Sequence, residues 1–244
     1  MVQKLSRKER RQQQHKEGSV NPPRQDNLKL ENVRPLTENQ QKAFSFYDKE
    51  QNLILHGAPG TGKSFISLYL ALDDLYNGDT ELQKVMIIRS AQASKNIGFL
   101  PGSAKQKMEV YEAPYNAICS QLFKRGDAYN ILKQKGIIEF ESTSFLRGTT
   151  IDNAIIILDE VQNLSYQEVK TVLTRVGENS RIIICGDTKQ DDLTSERFSE
   201  VSGLPKLLSI IGRMKSISHV EFGVEDIVRS GFVREFIIAE LNAA

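Results

Sequence analysis

The sequence predicts an α/β fold: a mostly parallel sheet with helices on both faces. Three observations carry this. Six short apolar runs rich in β-branched residues recur along the chain, which marks strands. Helical patterns lie between most of them, so successive strands must cross over and run parallel, with helices covering both faces. The first of these strands also passes into its helix through a glycine-rich turn, HGAPGTGKS.

The elements follow in order. After Pro35, LTENQQKAFSFYDKE reads as a helix with Thr37 as N-cap and Gln40 one turn in. The expected strands are Leu53–His56, Val85–Arg89, Ile137–Phe140, Ala154–Leu158, Ile182–Cys185 and Ile217–Phe222. The expected helices include Lys63–Tyr76, Lys105–Leu122, Tyr166–Arg175 and Val224–Leu241, the first of them stopping at Asn77-Gly78. Ligands of such sheets bind beyond the carboxyl ends of the strands, so motifs there matter most.

At 244 residues, 39% hydrophobic and 26% charged, the chain suits one such domain plus an extension. The longest run of Ile, Leu and Val, Ile155 to Leu158, falls far short of the ~18 apolar residues of a membrane span, and no membrane partner is expected. The N-terminus lacks a secretory apolar core, and Cys119 and Cys185 alone make no disulfide framework. The expectation is therefore a reducing, cytoplasmic compartment, with Cys185 buried in its strand. His15 and His219 have no metal-ligand spacing with the cysteines, and His56 reads as a packed strand end. The net charge of +1 is uneven. Residues 1–35 hold nine basic against four acidic side chains, leaving 23 against 27 for the rest. Residues 1–35 are expected as a flexible basic arm and 36–244 as the folded domain. The arm either binds nucleic-acid phosphates or is a solubilising tail.

NLILHGAPGTGKSFISLYLAL fits strand–GxxxxGK[ST]–helix without a gap. Gly57, Gly60 and Gly62 would let the nucleotide-binding loop Gly57, Ala58, Pro59, Gly60, Thr61 and Gly62 curl so that successive N–H groups face one anion, and the next helix adds its positive end. Lys63 would reach the β- and γ-phosphates of ATP, and the Ser64 hydroxyl would ligate Mg²⁺. In NAIIILDEVQN a buried strand ends at Asp159 and Glu160, two acids that are costly there unless they meet a cation. Asp159 is expected on Mg²⁺ and Glu160 as the base for the attacking water. A Glu in that place favours hydrolysis over phosphoryl transfer to a substrate, against a P-loop kinase. A further strand ends as IIICGDTKQDDL, where the Gln190 amide would sense the γ-phosphate or its water.

Together LTxxQ of Leu36–Gln40, the P-loop, DE and GDxxQ resemble the RecA-like ATPase core of superfamily 1 helicases. More closely, RS…GFLPG…K…PY, FLRGTTIDNAIIILDEVQN, QEVKTVLTRVGENSRIIICGDTKQDDL and DIVRSGFVREFI resemble the PhoH-like P-loop ATPases, across roughly Leu36 to Phe236. The resemblance implies adenine reading by Gln40 and an arginine finger at Arg229, with Arg234 second, unless these arginines are surface charges on a helix. It also implies assembly into a ring, a hexamer, in which a neighbour supplies the second wall of each ATP site, since this chain has room for one RecA-like domain. The partner expected is single-stranded RNA or DNA, RNA foremost.

The long connection after Arg89 and Ser90 belongs to this picture. Arg89, Ser90, Lys95 and Lys105 offer donors to nucleic-acid phosphates, and Phe99 of GFLPG would stack on a base. GFLPG reads equally as a wedge into a neighbouring subunit, or as a structural turn. Arg147 is either a nucleic-acid contact or a surface charge. The expectation is thus a Mg²⁺-dependent ATP hydrolase coupled to nucleic acid, with helicase activity a weaker inference. The rival is a nucleotide-switched assembly protein with slow turnover.

Overall fold

The computed structural model describes residues 28–77, 80–90, 104–143, 146, 148, 150–188 and 202–243, the side chains of 104–108, 242 and 243 excepted. Six strands, β1 (Asn52–Gly57), β2 (Lys84–Arg89), β3 (Ile138–Ser142), β4 (Ala154–Leu158), β5 (Arg181–Asp187) and β6 (Ile217–Phe222), form one sheet in the order β3-β2-β4-β5-β1-β6. Every pairing is parallel. The chain therefore has an α/β P-loop fold with a wholly parallel sheet. All carboxyl ends share one edge, and there β5 stands between the P-loop strand β1 and the acid-bearing strand β4.

Side chains alternate across a strand, and the apolar residues sort by that period of two. Leu53, Leu55, Val85, Ile87, Ile155, Ile157 and Ile183 face one core, with Cys185 buried beside them as expected. Helices α1 (Glu38–Asp48), α2 (Lys63–Asn77), α3 (Ala104–Phe123) and α4 (Ala128–Gln134) cover it. Ile54, Met86, Ile88, Ile156, Leu158, Ile182 and Ile184 face the other, covered by α5 (Tyr166–Leu173) and α6 (Leu204–Ile211). Both faces are apolar, which is why β4 reads as an unbroken AIIIL run. Among the described residues no helix is long and apolar enough to cross a membrane.

Thr37 caps α1 by accepting from Gln40 N–H at 3.3 Å, as its sequence predicts. Ser165 and Glu168 form a capping box on α5. Three expectations need correction. Leu28 is buried and Glu31 N–H donates to the Leu122 carbonyl at 2.8 Å, so residues 28–35 pack with the fold instead of the arm. The helix expected over Val224–Leu241 is broken. Val224–Asp226 is a 3₁₀ turn, and α7 begins only at Gly231 (Gly231–Ala243). The cause is competition for the backbone: Val228 N–H donates to the Gly60 carbonyl at 3.1 Å, and Asp226 accepts from Asn39 Nδ2 at 2.7 Å and Gly223 N–H at 2.9 Å. The helix after Ser165 ends at Leu173, with Thr174 as its C-cap, two residues short of Arg175.

Candidate active site

β1 runs directly into Gly57-Ala58-Pro59-Gly60-Thr61-Gly62, and α2 starts at Lys63. Gly57 has φ +123°, and a Cβ there would lie 2.2 Å from the Phe222 carbonyl oxygen, so only glycine lets β6 approach. Gly62, at φ +82°, turns the chain into the helix, whose positive end faces the pocket. Lys63 Nζ donates to the Ala58 carbonyl at 2.7 Å and to Thr61 Oγ1 at 3.3 Å, and forms an ion pair with Asp187 at the tip of β5.

Asp159 and Glu160 follow β4 at the same edge. Asp159 Oδ1 accepts from Ser64 Oγ and from Glu160 N–H, both at 3.0 Å. Its Oδ2 accepts from the buried Tyr115 hydroxyl at 2.7 Å. Glu160 adopts the left-handed conformation (φ 55°, ψ 43°), a strained state for a residue with a side chain. Gln162 Nε2 donates to Glu160 Oε2 at 2.6 Å, while Gln162 Oε1 accepts from Asp187 N–H at 2.9 Å. One amide thus links the two strand tips. Arg89 Nη2 lies 3.9 Å from Glu160 Oε1, and its guanidinium sits 5.9 Å from the centre of the Tyr111 ring. Burial, then the charge of Asp159, push the Glu160 carboxyl above its usual range, while Arg89 and the Gln162 hydrogen bond oppose this.

Gly60 to Ser64, Asp159, Glu160 and Asp187 border a pocket of about 640 Å³ that also reaches Gln40 and Arg229. Gln40 is buried at 3% exposure and braces the loop: Nε2 donates to the Thr61 carbonyl at 2.9 Å, and Oε1 accepts from Leu36 N–H at 2.8 Å. Each amide atom keeps one further hydrogen-bonding position. Arg229 is exposed. Its stem packs on the P-loop, such that a Cβ on Gly60 would meet Arg229 Cγ and Ile237 Cδ1 at 3.1 Å. His56, 3% exposed, stacks on His219 with the Nε2 atoms facing each other, and burial, then His219, lower its pKa to about 4.

A family profile described as PhoH-like protein matches residues 32–240, a span that holds every strand of the sheet and the whole pocket. The chain belongs to the PhoH-like family. The PhoH-like protein of Bacillus subtilis (strain 168) is 34% identical over 215 residues, 87% of this chain and 65% of that protein. The PhoH-like protein of Synechocystis is 32% identical over 85% of this chain and 62% of its own length. Protein PhoH of Escherichia coli (strain K12) is 32% identical over 79% and 53%. The chain thus spans between half and two thirds of these PhoH-like relatives. Among solved structures, the Pif1 helicase from Candida albicans aligns loosely: 17% identity, a TM-score of 0.34, 78% of this chain and 40% of that one.

In this PhoH-like chain, Lys63, Ser64, Asp159 and Glu160 come together from two elements about a hundred residues apart in sequence. Arg89 and Ser90, expected to face nucleic-acid phosphates, turn inward: Arg89 lies against Glu160, and Ser90 is 1% exposed. Gln190, Lys95, Phe99 and Arg147 lie outside the described residues, as do the side chain of Lys105 and residues 1–27 of the arm. Three site residues escaped the sequence reading: Tyr115, Gln162 and Asp187. Gln162 carried a signal, an amide side chain two residues after the acids in DEVQN. Tyr115 carried none beyond its place in PY, because only the packing of α3 brings it to Asp159.

Proposed function

We propose that the chain is a Mg²⁺-dependent ATP hydrolase coupled to nucleic acid, RNA foremost. The observation that carries the hydrolase is the meeting of Ser64 Oγ and Asp159 Oδ1 at 3.0 Å beside Lys63, inside a pocket large enough for a nucleotide. A hydroxyl and a carboxylate are hard oxygen donors that suit Mg²⁺, so Ser64 and Asp159 would hold it. When bound, the cation neutralises charge on the β- and γ-phosphate oxygens.

The residues of the chain divide the remaining work. Gly60 to Gly62 and the start of α2 bind the phosphates with backbone N–H groups, since Pro59 has none and Ala58 N–H donates to the Phe222 carbonyl. Lys63 binds the β- and γ-phosphates, which must displace Asp187 from its ammonium. Glu160 takes the proton of the attacking water, and Gln162 fixes the oxygen it does not use. Gln40, with its spare donor and acceptor positions, reads the adenine edge. Arg229 supplies positive charge to the transition state, in its own site or a neighbour's. Gln190 and the segment from Ser90 to Lys105 carry the signal between ATP state and nucleic acid.

One observation favours a second reading, ATP-controlled assembly. Beside the P-loop, Leu36, Phe232, Val233 and Phe236 are exposed by 76, 79, 50 and 57%. The discriminating experiment is steady-state ATP hydrolysis with and without single-stranded RNA, in the parent and in Glu160→Gln. Stimulation by RNA that vanishes in the variant supports the coupled hydrolase. Hydrolysis indifferent to RNA supports assembly, and no hydrolysis in the parent overturns the hydrolase.

A further inference from the structure

The Tyr115 hydroxyl has no part in the proposed hydrolysis, yet it touches the carboxylate on which Mg²⁺ binding depends. Tyr115 lies on α3 at 1% exposure, and its hydroxyl donates to Asp159 Oδ2 at 2.7 Å. An aspartate χ2 torsion is broad and roughly two-fold, so a carboxylate at a strand tip has little intrinsic preference for either oxygen. Here the two oxygens are held differently. Oδ1 accepts from Ser64 Oγ and Glu160 N–H, and Oδ2 accepts from the phenol.

The phenol is itself held. Its ring lies 5.7 Å from Phe140 of β3 at a tilt of 49°, and Cys119, one turn further along α3, is fully buried. A carboxylate offers only acceptors and a phenol carries one O–H, so the bond runs from Tyr115 to Asp159. One turn earlier, Tyr111 lies beneath the Arg89 guanidinium that faces Glu160. A single face of α3 thus reaches both acids, Asp159 directly and Glu160 through Arg89.

We propose that Tyr115 is a positioning residue: its hydroxyl holds Asp159 Oδ2 so that Oδ1 stays turned to Ser64, ready for a divalent cation. This rests on the reading of the pocket as a Mg²⁺–nucleotide site. Partners of this kind orient metal ligands, and their loss typically costs ~10–100-fold in metal affinity or activity.

Tyr115→Phe removes the hydroxyl and keeps the ring against Phe140. Tyr129→Phe is the matched control, since its equally buried hydroxyl donates to Glu112 Oε2 at 2.8 Å, away from Asp159. The measurement is Mn²⁺ binding in the presence of ADP, followed by the EPR signal of free Mn²⁺, with ADP affinity in EDTA and thermal unfolding alongside. Tyr115→Phe should weaken Mn²⁺ binding by ~10-fold or more and leave metal-free ADP affinity unchanged. Tyr129→Phe should lose comparable stability and keep Mn²⁺ affinity. Unchanged Mn²⁺ affinity in Tyr115→Phe overturns the proposal, as does an equal loss in both variants, which would mean general loosening of the core. Should Tyr115→Phe fail to fold, Phe140→Leu keeps the hydroxyl but frees its ring, and must weaken Mn²⁺ binding in the same direction. A parent that takes up no Mn²⁺ with ADP removes the nucleotide-site reading itself, a result distinct from the other outcomes.

Discussion

On the β4 side of the pocket the functional side chains already hold one another, whereas on the outer side of the P-loop Arg229 is exposed. Ser64, Asp159, Tyr115, Glu160, Gln162 and Asp187 form a continuous run of hydrogen bonds, and Lys63 joins it through Asp187. Across the pocket, Arg229 touches the loop through its aliphatic stem, and its neighbours on α7 include exposed aromatics. The acid side is preorganised by burial, at a cost in backbone strain at Glu160 and in carboxylate desolvation. The arginine side keeps its charge in water and spends no stability on it.

The sharpest break of this comparison is Glu160→Gln, which should lower hydrolysis by ~10²–10⁴-fold. The same change should raise the unfolding midpoint at neutral pH. The folded pKa of Glu160 is raised, so the folded state binds this proton more tightly than the unfolded chain does. Ionisation of Glu160 therefore costs stability once pH exceeds the unfolded value, and the gain from Gln should fade as pH drops below it. A variant that loses both activity and stability would mean that Glu160 is a structural strut. The pH–rate profile extends the test. As the base, Glu160 must be ionised, so activity rises as pH climbs through its pKa, and Arg89→Met should move that limb upward by removing the cation that opposes the shift.

Arg229→Ala should cost ~10²–10³-fold in turnover, the scale for losing one electrostatic contact to developing charge. Its unfolding midpoint should fall only slightly, by the packing of the aliphatic stem on the P-loop, because the guanidinium itself is exposed. A clear fall in midpoint would place Arg229 on the preorganised side of the comparison.

The same division explains what was legible in the sequence. Gly57 to Ser64 and Asp159-Glu160 could be read because a strand end, a tight turn and a helix start fix their chemistry within a few residues. The six strands could be read because both faces of a parallel sheet are apolar. Tyr115, Asp187 and the inward turn of Arg89 depend on which helix crosses which strand tip, and spacing along the chain does not carry that. The helices α4 and α6 are only seven and eight residues long, too short for a firm periodic signal. The failure over Val224–Ser230 is tertiary in origin: those residues have a helical pattern, but the P-loop takes the Val228 N–H.

Behind the P-loop, the His56–His219 pair offers a smaller test on the buried side. The folded pKa of His56 is about 4, below the 6.5 of an unperturbed imidazole. As pH falls from about 6.5 to about 4, the unfolded chain takes up a proton that the folded chain refuses. That window should cost stability, and His56→Gln should flatten it. Urea unfolding at pH 7 and pH 4.5 measures the difference. An equal slope in parent and variant would mean that the imidazole is wetter than its 3% exposure implies.

The smallest effect belongs to the exposed side. Phe232 and Phe236 stack at 6.4 Å, one turn apart on α7. Solvent-facing pairs of this kind add ~0.2–0.5 kcal/mol, so Phe232→Ser with Phe236→Ser should shift the unfolding free energy by about that much. A loss of several kcal/mol would show that α7 is packed in solution and that the pocket has two buried walls. Concentration supplies the finer discrimination. A face that joins a second copy makes the midpoint of the parent rise with protein concentration, since association favours the folded state by mass action. The double serine variant should then show a flat midpoint at every concentration. If parent and variant are both flat, the aromatics are ordinary surface, and Arg229 must find the transition state within its own chain.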